Sequence, residues 1–119
     1  MEQQTLGQFG EEQAARYLRR RFYTILERNY RCRFGEIDLI ARRGGILAFV
    51  EVKLRRDDAH GEAREFVTAR KQQRILAAAE LWLSQHETPL QPRFDVIEVY
   101  APAGAEGPVQ IRHIENAFM

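Results

Sequence analysis

The sequence predicts an α/β fold in the order αβββαββ, with a mixed central sheet flanked by helices. Residues 35–54 contain two apolar, β-rich runs separated by Arg42-Arg43-Gly44-Gly45, a pattern typical of a hairpin. Amphipathic stretches with helical spacing precede and follow this hairpin, and two further β-rich segments complete the chain. At 119 residues, the chain is expected to form a single domain over residues 1–119.

The first helix is predicted over residues 6–21, because Thr5-Leu6-Gly7-Gln8 has the form of a capping box. Glu11 falls at the edge of its apolar stripe and Glu12 points away, so Glu11 is the acid expected to reach a site. Glycines 7 and 10 are expected to allow close approach of a neighbouring backbone. The predicted stripe consists of Leu6, Phe9, Gly10, Ala14, Tyr17 and Leu18.

The hairpin carries charged residues where a buried strand is expected. Alternation places Glu36, Asp38 and Ile40 on one face of the first run, and Ile37, Leu39 and Ala41 on the other. In the second run, Leu47, Phe49, Glu51 and Lys53 share a face, and the opposite face is apolar throughout. A strand that is apolar on both sides is usually interior to a sheet, where an unpaired carboxylate is costly.

Two explanations fit these charges. Glu51 and Lys53 can form a half-solvated pair at a strand end, which would contribute little. Alternatively, Asp38 and Glu51 lie side by side on adjacent strands and share a divalent cation with the backbone carbonyl of Val52. Oxygen ligands of this kind suit Mg²⁺, which keeps several waters.

The second helix is predicted over residues 65–85, and strands are predicted over residues 22–30, 93–100 and 109–114. Lys71 lies within the apolar stripe of that helix, so it must either snorkel or find an anion such as Glu51 or a phosphate. Trp82 lies at the helical spacing of this stripe and is expected to be a core residue. The predicted stripe consists of Val67, Ile75, Ala78, Ala79 and Trp82.

A charged segment follows Lys53 and is expected to form a mobile loop beside the site. Arg55 and Arg56 are placed to contact backbone phosphates, or alternatively to pair with Asp57 and Asp58. His60 is a lone loop histidine, to which a near-neutral pKa alone assigns no role. One role open to Asp95 is simply to pair with Arg93 or Arg28.

Charge is distributed unevenly along the chain. The net charge of +1 conceals sixteen Lys/Arg against eleven Asp/Glu in residues 1–74, and two against six in residues 75–119. Such asymmetry suits a polyanionic partner, although it also fits simple solvation. Of eighteen basic residues, only Lys53 and Lys71 are lysines, which suggests that a compact ammonium is needed at both positions.

The compartment is predicted from cysteine usage and the N-terminal residues. Cys32 is the only cysteine, so no internal disulfide can form. The first residues lack the basic and apolar regions of a secretory signal, and no apolar run approaches membrane-spanning length. We expect a soluble, cytoplasmic protein.

Asp38 followed across a hairpin by Glu51-x-Lys53 is the pattern of the PD-(D/E)xK nuclease superfamily. Ile37 stands where that pattern has proline, which leaves the aspartate in place. Because a bare Asp…Glu-x-Lys occurs often by chance, the resemblance depends on further blocks in a fixed order. Those blocks make residues 6–100 similar to the YraN-like uncharacterised family, regarded as a distant relative of archaeal Holliday-junction resolvases. The blocks are Gly10-Glu11, Arg28-Asn29, residues 35–40, residues 49–53 with Arg55, Lys71, and residues 93–96.

The resemblance implies a restriction-endonuclease-like, resolvase-like core and a metal-dependent endonuclease acting on DNA, including branched or Holliday-junction-like DNA. It implies Mg²⁺, or Mn²⁺ as a substitute, bound by Asp38, Glu51 and the carbonyl of Val52. Lys53 would then hold the attacking water and offset charge in the transition state.

The resemblance also extends to residues around this set. Glu11 would bind the metal through water or hold a second cation, and Lys71 with Arg55 would grip the phosphate. Resolvases act as dimers because they cut two strands symmetrically, so a homodimer follows only by analogy.

Two other functions compete with the nuclease. One is a non-catalytic nucleic-acid-binding or assembly protein on the same fold. The set of Asp38, Glu51 and Lys53 favours catalysis, since binding alone gains nothing from carboxylates that face phosphates. The other is a structural partner protein, which leaves the acid cluster unexplained.

Overall fold

The computed structural model describes residues 5–56 and 67–118. Its elements follow the predicted order αβββαββ. In those residues, no helix is both long and apolar enough to cross a membrane. The elements are α1 (Leu6–Arg20), β1 (Thr24–Cys32), β2 (Gly35–Arg43), β3 (Ile46–Arg55), α2 (Ala69–Gln85), β4 (Gln91–Tyr100) and β5 (Gln110–Ile114).

The five strands form one mixed sheet in the order β1-β2-β3-β4-β5, which confirms the predicted α/β class. β3 and β4 are parallel and pair along their whole length, from Ile46 opposite Gln91 to Arg55 opposite Tyr100. The other neighbouring pairs are antiparallel. A parallel pair needs a crossover connection, and α2 lies in the segment between the two strands. β3 is therefore the central strand, as its two apolar faces predict.

The core lies on both faces of the sheet. On the α2 side, Phe49 stacks on Phe94 with 5.4 Å between ring centroids and meets the edge of Trp82 at 5.9 Å. On the α1 side, smaller residues fill the interface, among them Ala14, Ala48 and Val50. Trp82 is thus a core residue, as predicted, and its indole nitrogen donates to Glu27 at 3.0 Å.

Alternation along β2 is only partly as predicted. Ile37 belongs with Ile40 to the cluster on the α2 side, whereas Leu39 and Ala41 belong to the cluster on the α1 side. The predicted grouping of Ile37 with Leu39 is therefore wrong. Regular pairing of β2 with β3 extends only from Arg43 to Leu39. Beyond Leu39, β2 no longer pairs regularly with β3, so simple alternation does not hold.

α1 has the predicted capping box: Gln8 N donates to the Thr5 hydroxyl at 3.1 Å and Thr5 N to the Gln8 side chain at 2.9 Å. Its stripe is displaced slightly, because Leu6 is 42% exposed while Ala15 is buried. Gly10 meets Leu54 of β3, since a Cβ at position 10 would lie 3.4 Å from the Leu54 Cβ.

Two predicted boundaries differ from the structure. β1 begins at Thr24 rather than at residue 22, because Phe22 has φ 70° and cannot continue an extended strand. α2 begins at Ala69, where the Thr68 hydroxyl accepts from Lys71 N at 3.1 Å. The predicted start at residue 65, the loop at residues 57–66 and His60 lie outside the described residues.

Candidate functional site

Glu51 is the centre of the candidate site. It lies on the α2 face of β3 and is 5% exposed. Its Oε1 atom is 2.5 Å from Lys71 Nζ and 3.7 Å from Lys53 Nζ. The buried carboxylate therefore faces two ammonium groups, one two residues away on the strand and one from the first turn of α2. Lys71 takes an anion as partner, which decides between the two alternatives that its position left open.

Asp38 is held against β3 by a backbone hydrogen bond. The Val52 amide donates to Asp38 Oδ2 at 2.8 Å, just beyond the last regular pair of β2 with β3, Leu39 with Val50. The Asp38 side chain thus accepts the hydrogen bond that a backbone carbonyl of the neighbouring strand accepts in a regular β-ladder. This contact orients the carboxylate of Asp38 toward the segment that carries Glu51.

The environment of Asp38 favours its protonated form. Burial, together with the charge of Glu51, raises the pKa of Asp38 to about 7, although the Val52 hydrogen bond partly opposes this. The charge of Glu11 acts in the same direction. A carboxylate that is half protonated near neutral pH has too little positive charge nearby to stabilise its anion.

The two lysines respond in opposite directions. Burial and the neighbouring ammonium of Lys71 lower the pKa of Lys53, and the charge of Glu51 only partly opposes this. Burial also acts to lower the pKa of Lys71, but the contact with Glu51 outweighs it and raises that pKa. Lys71 is therefore the fixed positive charge, and Lys53 is the amine that more readily gives up its proton.

Glu11 lies on α1, and it is held by β1. Asn29 has φ 52°, and with its amide nitrogen turned toward α1 it donates to both carboxylate oxygens of Glu11, at 3.0 and 2.8 Å. Burial raises the pKa of Glu11, and the hydrogen bond from Asn29 partly opposes this rise. Asn29 was visible in the sequence as part of the Arg28-Asn29 block, but only the fold shows what it contacts.

Glu12 lies off the apolar stripe, as predicted, but it is paired with arginines. Its carboxylate accepts from Arg28 of β1 at 2.7 Å and from Arg16 at 3.4 Å. The helical wheel located the apolar stripe, but it did not show that the middle of β1 lies beside this flank of α1.

Arg55 occupies a different environment from the one predicted for a phosphate contact. Its Nη1 donates to Glu98 of β4 at 2.5 Å, and the two side chains are only 10% and 11% exposed. Glu98 faces the same side of the sheet as Phe94 and Val96, and its position opposite Lys53 follows from the parallel register. Sequence alternation could have placed Glu98 on this face, but not beside Arg55.

Asp95 pairs with Arg93, one of the two arginine partners that the sequence left open. It is fully buried, and it accepts from Arg93 at 2.7 Å, from His113 Nε2 at 2.8 Å and from the Asn116 amide at 3.0 Å. This network lies on the α1 side of the sheet, opposite Glu51. Glu36 lies at the start of β2 and makes an exposed ion pair with Arg31 of β1 at 3.2 Å.

The donor set fits a hard divalent cation. Asp38 and Glu51 offer carboxylate oxygens, Val52 offers a backbone carbonyl, and the raised pKa of Asp38 marks a negative charge that a cation would offset. Within residues 5–56 and 67–118, however, no cluster of three or more His, Cys, Asp or Glu side chains has metal-binding geometry. Any cation here would keep much of its water shell.

Fold and site together define a small α/β domain with a buried carboxylate and lysine cluster on the central strand. Residues 10–99 match the Uncharacterised protein family UPF0102, and the chain belongs to that family. This is the YraN-like family indicated by the sequence blocks.

Individual relatives match over nearly their full length. A UPF0102 protein of Nocardia farcinica is 48% identical over 118 residues, covering 98% of this chain and 91% of its own. A UPF0102 protein of Symbiobacterium thermophilum is 47% identical over 114 residues, covering 95% of each chain. One from Frankia alni is 46% identical over 114 residues, with coverage of 95% and 93%.

Proposed function

We propose that the protein is a metal-dependent endonuclease that hydrolyses phosphodiester bonds in DNA. The observation that carries the proposal is the pairing of Asp38 with Glu51: burial, together with the charge of Glu51, raises the pKa of Asp38 to about 7. Two carboxylates held together at such a cost are typical of sites that bind a cation or transfer protons.

A bound Mg²⁺ or Mn²⁺ would polarise the scissile phosphoryl group and lower the pKa of the attacking water. Asp38 and Glu51 would hold it, with the carbonyl of Val52. Both lysine contacts on Glu51 are made to Oε1, so Oε2 is the oxygen that a cation would take.

Each remaining side chain has a distinct task in this proposal. Lys53 would hold the attacking water by a hydrogen bond and offset charge in the transition state. The water gives its proton to solvent as its oxygen bonds to phosphorus, and the leaving alkoxide takes a proton from solvent as the P–O bond breaks. Lys71 stays charged beside Glu51, and its ammonium offsets the charge on the phosphoryl oxygens. Glu11 would hold a water of the cation through a hydrogen bond.

The non-catalytic alternative has one observation in its favour. Lys71 Nζ lies 2.5 Å from Glu51 Oε1 and already neutralises that carboxylate without any metal. A protein that retained only the fold and nucleic-acid binding could keep this ion pair for stability.

The deciding experiment titrates Mn²⁺ into wild type and Asp38→Asn by calorimetry, and assays a labelled four-way junction and a linear duplex in parallel. The carboxamide oxygen introduced by Asp38→Asn can still accept from the Val52 amide, so the variant removes charge and leaves the hydrogen bond. We expect metal binding and cleavage to be lost together. Salt-dependent DNA binding that ignores the metal and is unchanged in Asp38→Asn would instead support the binding protein.

A further inference from the structure

A groove of about 560 Å³ opens between the end of the β1–β2 hairpin and the first turns of α2. The two walls touch at Gly35, where an added Cβ would lie 3.2 Å from the Arg74 Cβ. Gly35 has φ 155°, which also disfavours a larger residue. The hairpin end and the helix are therefore in close contact, and the side chains of both face the same groove.

Cations dominate the lining of this groove. They are Arg31 from β1 and Arg70, Lys71 and Arg74 from α2, against Glu36 as the one carboxylate among the described residues that line the groove. Arg31 already pairs with Glu36. Across the described parts of the chain, neither Arg70 nor Arg74 has an ion-pair partner.

The position of these arginines makes no obvious contribution to folding. The first turn of α2 carries Arg70 and Lys71 and no acidic residue, although the N-terminal end of a helix favours negative charge. By contrast, Arg19 and Arg20 lie in the last turn of α1, where positive charge is favourable.

The groove is continuous with the carboxylate site through one residue. Lys71 lines the groove, and its Nζ also contacts Glu51 at 2.5 Å. An anion bound along the groove would therefore reach the candidate site at Lys71. A chain of phosphates, rather than a single anion, suits several cations arranged along an open groove that ends at a proposed phosphodiesterase site.

We propose that Arg31, Arg70 and Arg74 form a binding track for the phosphate backbone of the nucleic acid strand that enters the carboxylate site. This proposal rests on the proposed function for its ligand. It assigns to these arginines the positioning of the strand, while Lys71 contacts the phosphate next to Glu51.

The test measures binding separately from cleavage. Fluorescence anisotropy with a fluorescein-labelled DNA duplex in EDTA compares wild type with the double variant Arg70→Ala/Arg74→Ala. The matched control is Arg19→Ala/Arg20→Ala, which removes the same charge from the end of α1. We expect the groove variant to bind roughly tenfold more weakly, and its slope of log K against log salt to be smaller by about 2. The control is expected to bind as wild type does.

Thermal unfolding shows whether the variants fold, and the groove variant is expected to melt at the same temperature as wild type or higher. Should it fail to fold, Arg70→Gln/Arg74→Gln replaces it. Equal binding by groove variant and wild type, or equal weakening in both double variants, overturns the track. Absence of DNA binding by wild type at low salt also overturns it.

Failure of the track and failure of the nuclease are distinguishable. If wild type cleaves no DNA but the groove variant still loses binding, the track stands and the nuclease does not. If cleavage depends on Asp38 but the groove variant binds DNA as wild type does, the nuclease stands and the track does not.

Discussion

Asp38 Oδ2 lies 2.8 Å from the amide nitrogen of Val52, so one strand's side chain is fastened to the backbone of the next. The bond holds the Asp38 carboxylate beside the residue that follows Glu51 in the chain. Rotation away from Glu51 would leave the Val52 amide without this partner, which costs free energy in a buried strand. The structure thus holds two acids together that would otherwise separate.

Asp38→Asn should stabilise the metal-free protein at alkaline pH. The folded-state pKa of Asp38, about 7, lies above its ordinary value of 3.8. The folded state therefore binds the extra proton, and stability falls as pH rises from about 4 through 7. We expect the variant to gain about 1–2 kcal/mol at pH 8 and nothing at pH 4, by urea unfolding in EDTA. An equal effect at both pH values would contradict this account.

Divalent cations should stabilise wild type more at pH 8 than at pH 5. Protons compete with the metal for Asp38, whose pKa is about 7. A ligand that binds only the folded state raises its stability by mass action. Differential scanning fluorimetry with millimolar Mg²⁺ or Mn²⁺ should show a rise in Tm at pH 8 that is absent in Asp38→Asn. The same rise in the variant would place the metal elsewhere.

Lys71→Met should destabilise the protein through Glu51. Breaking a fully buried ion pair costs about 3–5 kcal/mol, and Lys71 is 40% exposed, so we expect about 1–2 kcal/mol. A double-mutant cycle with Glu51→Gln should recover much of that loss, because the double variant has no buried charge without a partner. Additive losses in urea unfolding would mean that Glu51 relies on Lys53 instead.

Phe49→Ala should be among the most destabilising substitutions. Phe49 is fully buried and contacts the rings of both Phe94 and Trp82, so its truncation leaves a cavity that a sheet cannot close. We expect a loss of about 3–5 kcal/mol in urea unfolding. Phe22→Ala is the matched control: Phe22 is 86% exposed, and its loss should change stability by less than about 0.5 kcal/mol.

Asp95→Asn should alter acid unfolding in the direction opposite to Asp38→Asn. Burial alone would raise the pKa of Asp95, but the hydrogen bonds from His113, Arg93 and Asn116 together outweigh it and lower that pKa. Stability from Asp95 is therefore present above pH 3.8 and lost as pH falls through the lower folded pKa. We expect a loss of about 2–4 kcal/mol at pH 7 and a shallower acid transition, followed by circular dichroism. A variant as stable as wild type at pH 7 would show that the network contributes little.

Local patterns were enough to predict most of the fold. The capping box at Thr5 set the start of α1, and β-rich runs around residues 42–45 set the central hairpin. Two apolar faces marked β3 as interior, and the sheet order confirms it. These features depend on neighbours in the sequence, so periodicity and turn chemistry suffice to find them. Where β2 departs from regular pairing at Asp38, the same periodicity misplaced Ile37.

The sequence by itself also determined which residues are unusual: Asp38, Glu51, Lys53 and Lys71 are charged where apolar residues are expected. Only the tertiary structure decided their partners. Lys71 meets Glu51, Arg55 meets Glu98, and Arg70 and Arg74 face the end of the β1–β2 hairpin. Such contacts depend on the register of β3 against β4 and on the position of α2 over the sheet. Packing of the whole core sets both, and no local spacing encodes them.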